Sequence, residues 1–285
     1  MLLRLLADPE VTRVRSVARR ELPAHPKLVH SRADLRDPAA RAALDGVDVL
    51  WHLGFSLWRG GDGRGANPAG TANVLAARPS RVVLASSAAV YGAWPDNRLP
   101  LAEDAPPRPN RQCAYAADKL ECERRCLSGA APALVLRIGA VLGPHADPRI
   151  RRAVSGYRRA VPAVRGASEA LQFLDEDDVA GALLLAGKRN PVGVVNVAPV
   201  DWLTAADVAG VARGRVIRVS LPLLLAASEL AFRLRLLPFG ADRAVLLGGP
   251  LALDAGLAHR CLGWKARLTS SEVLRRALAR PPDPP

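Results

Sequence analysis

At 285 residues, 49% of them hydrophobic, the chain is long enough to bury a substantial core. A formal charge of +13 raises nucleic acid as a partner, but the excess is arginine scattered through predicted strands, helices and tails; with no helix-turn-helix or zinc pattern beside it, the charge reads as the coding bias of a GC-rich genome. Four cysteines without a secretory pattern or a supporting His/Cys cluster predict free thiols in a reducing cytoplasm and no metal site.

In chain order, residues 1–8 read as the closing turns of a helix and 11–18 as a Val-containing strand, followed by Arg19 and Arg20. Further strands are predicted at 47–53, 81–86 and 133–138, alternating with helical stretches, which argues for a parallel sheet. The glycines of 59–65 disfavour a helix and predict a surface loop. A proline-rich loop at 100–109 precedes a helix running to Leu127. Residues 151–165 are basic, with Arg151 among five arginines, and read as a solvated helix face or as a site for a diphosphate. The apolar segment 221–237 is broken by Glu229, Arg233 and Arg235 and falls short of the ~20 residues a membrane span needs, so it predicts a helix roofing a pocket. The tail at 280–285 is proline-locked and predicts disorder.

One constellation carries chemistry. Tyr115 and Lys119 are four residues apart on a predicted helix and so stand one turn apart on one face. An ammonium beside a phenol favours the phenolate and brings a group of ordinary pKa ~10 toward neutral use as acid or base. Ser87, at the end of a predicted strand, supplies a hydroxyl to hold the substrate oxygen.

These residues carry a resemblance. Ser86-Ser87-Ala88-Ala89-Val90-Tyr91-Gly92, then Tyr115 to Lys119, then Leu136 to Pro144 resemble the extended short-chain dehydrogenases/reductases of the NAD(P)-dependent epimerase/dehydratase type. Asp34-Leu35-Arg36-Asp37, the His52-Leu53-Gly54 strand end, the Asn67 to Thr71 helix, the 172–180 return to the sheet and the small strand at 193–197 resemble the same family in the same order. The resemblance implies an α/β fold: a Rossmann-type doubly wound parallel sheet over 1–143 and 169–203, with a substrate-binding lobe from 144–168 and 204–280. It implies Ser87, Tyr115 and Lys119 as catalytic residues. It implies cofactor contacts from Asp34, Leu35, Leu53, Gly54, Asn67, Ser86 and Ile138 as well as Tyr115 and Lys119, and substrate contacts from Tyr91 and Arg151.

Two departures shape the expectation. The family's opening strand and Gly-x-x-Gly-x-x-Gly turn, whose amides bind the cofactor pyrophosphate, have no counterpart before residue 11. That absence reads as N-terminal truncation or as a crippled cofactor binder. Gly54 stands where relatives carry alanine, and Ile138 where they carry proline.

At the end of the second family strand Arg19 and Arg20 offer guanidiniums and no carboxylate, which points to NADP in preference to NAD. The expected activity is hydride transfer to or from a carbinol or carbonyl carbon, possibly of a nucleotide sugar. Ala88 and Ala89, in place of the acidic pair common beside the serine of dehydratases, tell against dehydration; oxidation or reduction and epimerisation stay open. The rival reading is a non-catalytic, cofactor-sensing Rossmann protein or inactive truncated member. The remaining expectations are a small-molecule substrate, no nucleic-acid or membrane partner, a possible homodimer and a cytoplasmic location.

Overall fold

The computed structural model describes residues 1–57, 65–237 and 239–279; the glycine loop predicted at 59–65 lies outside the described residues except for Gly65, as do Pro238 and the tail at 280–285. The short helix α1 (Leu2–Ala7) leads to β1 (Val14–Ala18), β2 (Leu28–Arg32) and α2 (Pro38–Leu44), whose N-terminus is capped by the Asp37 carboxylate accepting from the Ala39 amide. β3 (Val49–His52), α3 (Ala66–Leu75), β4 (Arg81–Ser87), α4 (Ala114–Leu127) and β5 (Ala133–Ile138) follow as alternating layers.

β4 and β5 are buried almost throughout, the signature of strands covered on both faces. β9 (Gly193–Val197) joins them in a four-stranded sheet of order β3-β4-β5-β9, with β3 and β4 parallel. β1 and β2 pair in parallel as a separate two-stranded sheet. In the doubly wound order 3-2-1-4-5-6 these sheets supply positions 3-2 and 4-5-6, with β9 added at the far edge; no strand of the described residues occupies position 1.

The rest comprises β6 (Ala140–Leu142), α5 (Pro148–Ser155), β7 (Ala160–Val164), β8 (Phe173–Asp175), α6 (Glu176–Lys188), α7 (Ala205–Ala212), β10 (Arg215–Val219), α8 (Leu221–Arg233), α9 (Ala241–Ala244), α10 (Gly256–Leu262) and α11 (Ser270–Ala279). β6 pairs in parallel with β8 and β7 with β10. The basic stretch 151–165 is therefore not one helix face: α5 ends at Ser155, a 3-10 turn follows, and residues 160–164 enter a strand because Val161 and Ala163 are buried with α7 and α11 in one apolar cluster and Val164 with Leu224 of α8 and Ala244 of α9 in another. Among the described residues no helix is long and apolar enough to cross a membrane, and α8 leaves Leu223 and Leu230 more than half exposed.

The chain forms two compact units. The first holds Met1–Ser86, Asp118–Leu136 and Ala180–Val194; the second holds Ser87–Ala117, Arg137–Val179 and Val195–Pro285. All of the expected lobe falls in the second unit, together with 87–117, 137–143, 169–179 and 195–203.

In the first unit, Trp51 of β3 packs so closely on α6 that a Cβ at Gly187 would lie 2.0 Å from its ring, while its indole N–H donates to the Leu183 carbonyl at 2.8 Å. In the second unit, the buried Asp178 at the start of α6 accepts the Arg267 amide and guanidinium and, through its carbonyl, the Trp264 indole, which ties down the chain ahead of α11.

Candidate active site

In the first unit the polar side chains gather where β3 and β4 end. His52 is buried and hydrogen-bonded through Nε2 to the Thr71 hydroxyl at 2.8 Å; Thr71 in turn donates to the Asn67 carbonyl and to Cys122 Sγ. Burial, reinforced by the Lys119 charge, depresses the His52 pKa to about 4, so the ring is neutral. Asn67 accepts the Ser56 amide at 2.7 Å and donates to Asp118 at 3.0 Å, fixing the chain after β3 to both α3 and α4. Ser86 donates to the buried Glu123 of α4, so its hydroxyl serves the joint between strand and helix.

Lys119 is 5% exposed; its ammonium donates to the Ala85 carbonyl at 2.6 Å and lies 3.8 Å from the centre of the Phe55 ring. Ala85 lies two residues before the end of β4, which places this cation at the carboxyl edge of the sheet, where open α/β sheets take their ligands.

The residues read as adenosine contacts lie along the same unit. Arg19 and Arg20 follow β1 and are exposed. Asp34 is held by Arg36 in a two-point ion pair, Nε to Oδ1 at 2.8 Å and Nη2 to Oδ2 at 3.0 Å, which draws its carboxyl down to about 2. Leu35 leans over two glycines: a Cβ at Gly54 would meet Leu35 Cδ1 at 2.5 Å and one at Gly70 its Cβ at 3.2 Å. An alanine at Gly54 would therefore require the Leu35 side chain to move. Leu53 is 42% exposed.

In the second unit Ser87 and Tyr115 come together. Ser87 Oγ accepts the Ala89 amide at 3.2 Å, which fixes its rotamer at the start of a 3-10 turn, and Tyr115 packs against that turn at Ala89. The phenol packs among Ala89, Cys113, Ala116, Leu225, Val245 and Leu246. Burial pushes its pKa up; the Arg243 guanidinium and the Ser87 hydroxyl oppose that push, and Cys113 adds to it. Arg243 comes from α9, its guanidinium carbon 3.7 Å from the centre of the Tyr115 ring. Sequence spacing gave no route to this contact, because Arg243 is one of many arginines and belongs to a four-residue helix remote in the chain.

Tyr91 is 1% exposed; its hydroxyl donates to Asn196 Oδ1 at 2.8 Å and its ring is covered by Arg137 at 4.7 Å. A cavity of about 350 Å³ reaches it, lined also by Asn97, Arg98, Leu101, Asp104 and Arg108, but includes neither Ser87 nor Tyr115. Arg151 of α5 donates to the Pro144 carbonyl at 3.0 Å, and Ile138, 7% exposed, closes β5.

The first unit by itself offers cationic groups to a dinucleotide: the exposed guanidiniums that follow β1 and the buried ammonium of Lys119 at the end of β4. For the pyrophosphate no glycine-rich strand-to-helix turn is present in residues 1–45, since the first glycine is Gly46.

A family model described as the NAD dependent epimerase/dehydratase family matches residues 1–198. An uncharacterised protein of Mycobacterium tuberculosis is 31% identical over 183 residues, 58% of this chain and 48% of the relative, and one of Sinorhizobium fredii is 23% identical over 275 residues, 88% of this chain and 67% of the relative. The chain thus spans about half the length of the mycobacterial relatives it matches. Among solved structures, UDP-glucose 4-epimerase of Thermotoga maritima with UDP-glucose superposes with a TM-score of 0.72 at 16% identity, covering 98% of this chain and 93% of that one. MoeE5 in complex with UDP-glucuronic acid and NAD gives 0.67 at 20%, covering 95% and 92%, and RMD from Pseudomonas aeruginosa complexed with NADPH gives 0.64 at 21%, covering 90% and 90%. At these identities the solved structures establish the fold.

Proposed function

The chain belongs to the NAD dependent epimerase/dehydratase family, and from that premise we propose that it catalyses oxidation, reduction or epimerisation at a carbinol or carbonyl carbon of a small molecule. The observation that carries the reading is the packing of Tyr115, at the start of α4, against the 3-10 turn that Ser87 opens at the end of β4. Ser87, its rotamer set by the Ala89 amide, holds the reacting oxygen of the substrate. Tyr115 takes the proton from that oxygen as phenolate or returns it as phenol, and the apolar packing around the ring keeps bulk water from competing. Lys119 would hold the nicotinamide ribose, and Arg19 with Arg20 the ribose 2'-phosphate of NADP. When bound, the nicotinamide accepts or supplies the hydride. Nucleotide sugars are the substrate class this reading favours, because the epimerase of Thermotoga maritima and MoeE5 were solved with UDP-glucose and UDP-glucuronic acid. Buried Ala88 and Ala89 beside Ser87 leave no carboxylate for dehydration.

The test is a screen of nucleotide sugars and simple ketones with NAD(H) and NADP(H). Turnover is expected with at least one, and Tyr115→Phe should lower it by about 10²–10⁴-fold with the fold intact. Retained turnover in that variant defeats the proton-transfer role. Arg19→Asp should shift the NADP/NAD ratio toward NAD; an unchanged ratio removes the argument for NADP.

A further inference from the structure

We infer that Arg243 is the positioning residue that sets the acidity of Tyr115, so that the phenolate forms against a guanidinium delivered by α9. The inference rests on the reading of Tyr115 as the proton carrier and adds the group that makes the phenol able to carry it.

One contact carries it: the guanidinium carbon lies 3.7 Å from the ring centre, a stacked approach. The Arg243 side chain is only 21% exposed, so its charge acts across a medium that screens poorly. Arginine suits the task because it stays protonated throughout the range in which a phenol titrates.

Polar and charged groups from three elements act on the phenol. Cys113 comes from the residue before α4, Ser87 from the end of β4 and Arg243 from α9, with the Asp242 carboxylate 3.9 Å from Arg243 Nε. The other walls are apolar, from Ala89, Ala116, Leu225, Val245 and Leu246. Lys119, one turn further along α4, directs its ammonium at the Ala85 carbonyl and the Phe55 ring.

The protein has three tyrosines, so each phenol can be followed separately. With 3,5-difluorotyrosine incorporated throughout, which brings phenol titration toward neutral pH, phenolate absorbance is recorded for the whole chain. Tyr115→Phe identifies the step belonging to Tyr115, and Arg243→Gln, Arg243→Lys and Lys119→Met are compared with the parent. Arg243→Gln should raise the Tyr115 midpoint by about 1–3 pH units, Arg243→Lys should recover most of that shift, and Lys119→Met should move the midpoint less than Arg243→Gln. Where turnover is measurable, the pH limb of kcat/KM should move in the same direction and by a similar amount.

An unmoved Tyr115 midpoint in an Arg243→Gln protein with native circular dichroism overturns the inference. If that variant does not fold, a midpoint in Arg243→Lys equal to the parent's supports it, and one displaced no differently from Lys119→Met overturns it. The titration needs neither cofactor nor substrate. A shifted midpoint in a chain that turns nothing over therefore sinks the oxidoreductase reading alone, and an unshifted midpoint in an active enzyme sinks only the role of Arg243.

Discussion

Tyr115 and Lys119 stand one turn apart on α4, yet the protein surrounds them in opposite ways. The phenol is set among apolar side chains with a guanidinium against its face, a setting in which one proton is held between competing influences. The ammonium is set against a backbone carbonyl, an aromatic ring and a histidine kept neutral. The contrast teaches a division of labour along a single helix: the first turn sets a phenol among apolar side chains and a guanidinium, the second ties an ammonium to the end of a strand.

The largest expected effect tests the setting of the ammonium through His52. Its pKa is about 4 in the fold against 6.5 for the unperturbed ring, so the unfolded chain binds the proton first as pH falls. The associated stability is complete above pH 6.5, declines below it, and is lost by about pH 4; the depression corresponds to roughly 3 kcal/mol. Urea midpoints at pH 7.5 and 4.5 should show most of that loss, and His52→Asn should flatten the dependence. An equal slope in that variant would assign the acid sensitivity to other groups.

Next in size is Lys119→Met. Turnover should fall by about 10²-fold, the usual cost of one preorganised donor. Because the Lys119 charge helps to depress His52, the same variant should also raise the His52 pKa, read from the ring resonances by NMR. A His52 pKa that stays put would mean that burial alone holds the ring neutral, and that the two settings on α4 are less distinct than the contacts imply.

The sequence carried the elements of these settings unequally. The Tyr115/Lys119 spacing and the strand ending in Ser87 were legible because each is local: a helical repeat fixes i and i+4, and a run of Val and Leu fixes a buried strand. The partners were not. Glu123 under Ser86, Asn196 on Tyr91 and Arg243 on Tyr115 are joined across long stretches of chain, and a buried acid or arginine looks in sequence like any surface one. The 151–165 segment misled for a related reason. Its arginines suggested a continuous basic helix, but the alternation of buried residues from Val161 onward belongs to a strand whose partner, β10, comes some fifty residues later.

Gly54 is where a departure from the family pattern meets a close contact, and where the smallest effect is expected. An alanine there would place its Cβ 2.5 Å from Leu35 Cδ1, the far end of a flexible side chain that must then rotate away. Gly54→Ala should therefore cost about 1 kcal/mol, a fall in Tm of roughly 2–4 °C. The loss should be much the same at pH 7.5 and 4.5, because no titrating group takes part in the contact; a loss that grew on acidification would show that Leu35 and the His52 network share one packing equilibrium. A Tm that rises would mean that Leu35 relaxes freely and that Gly54 answers no steric demand from it.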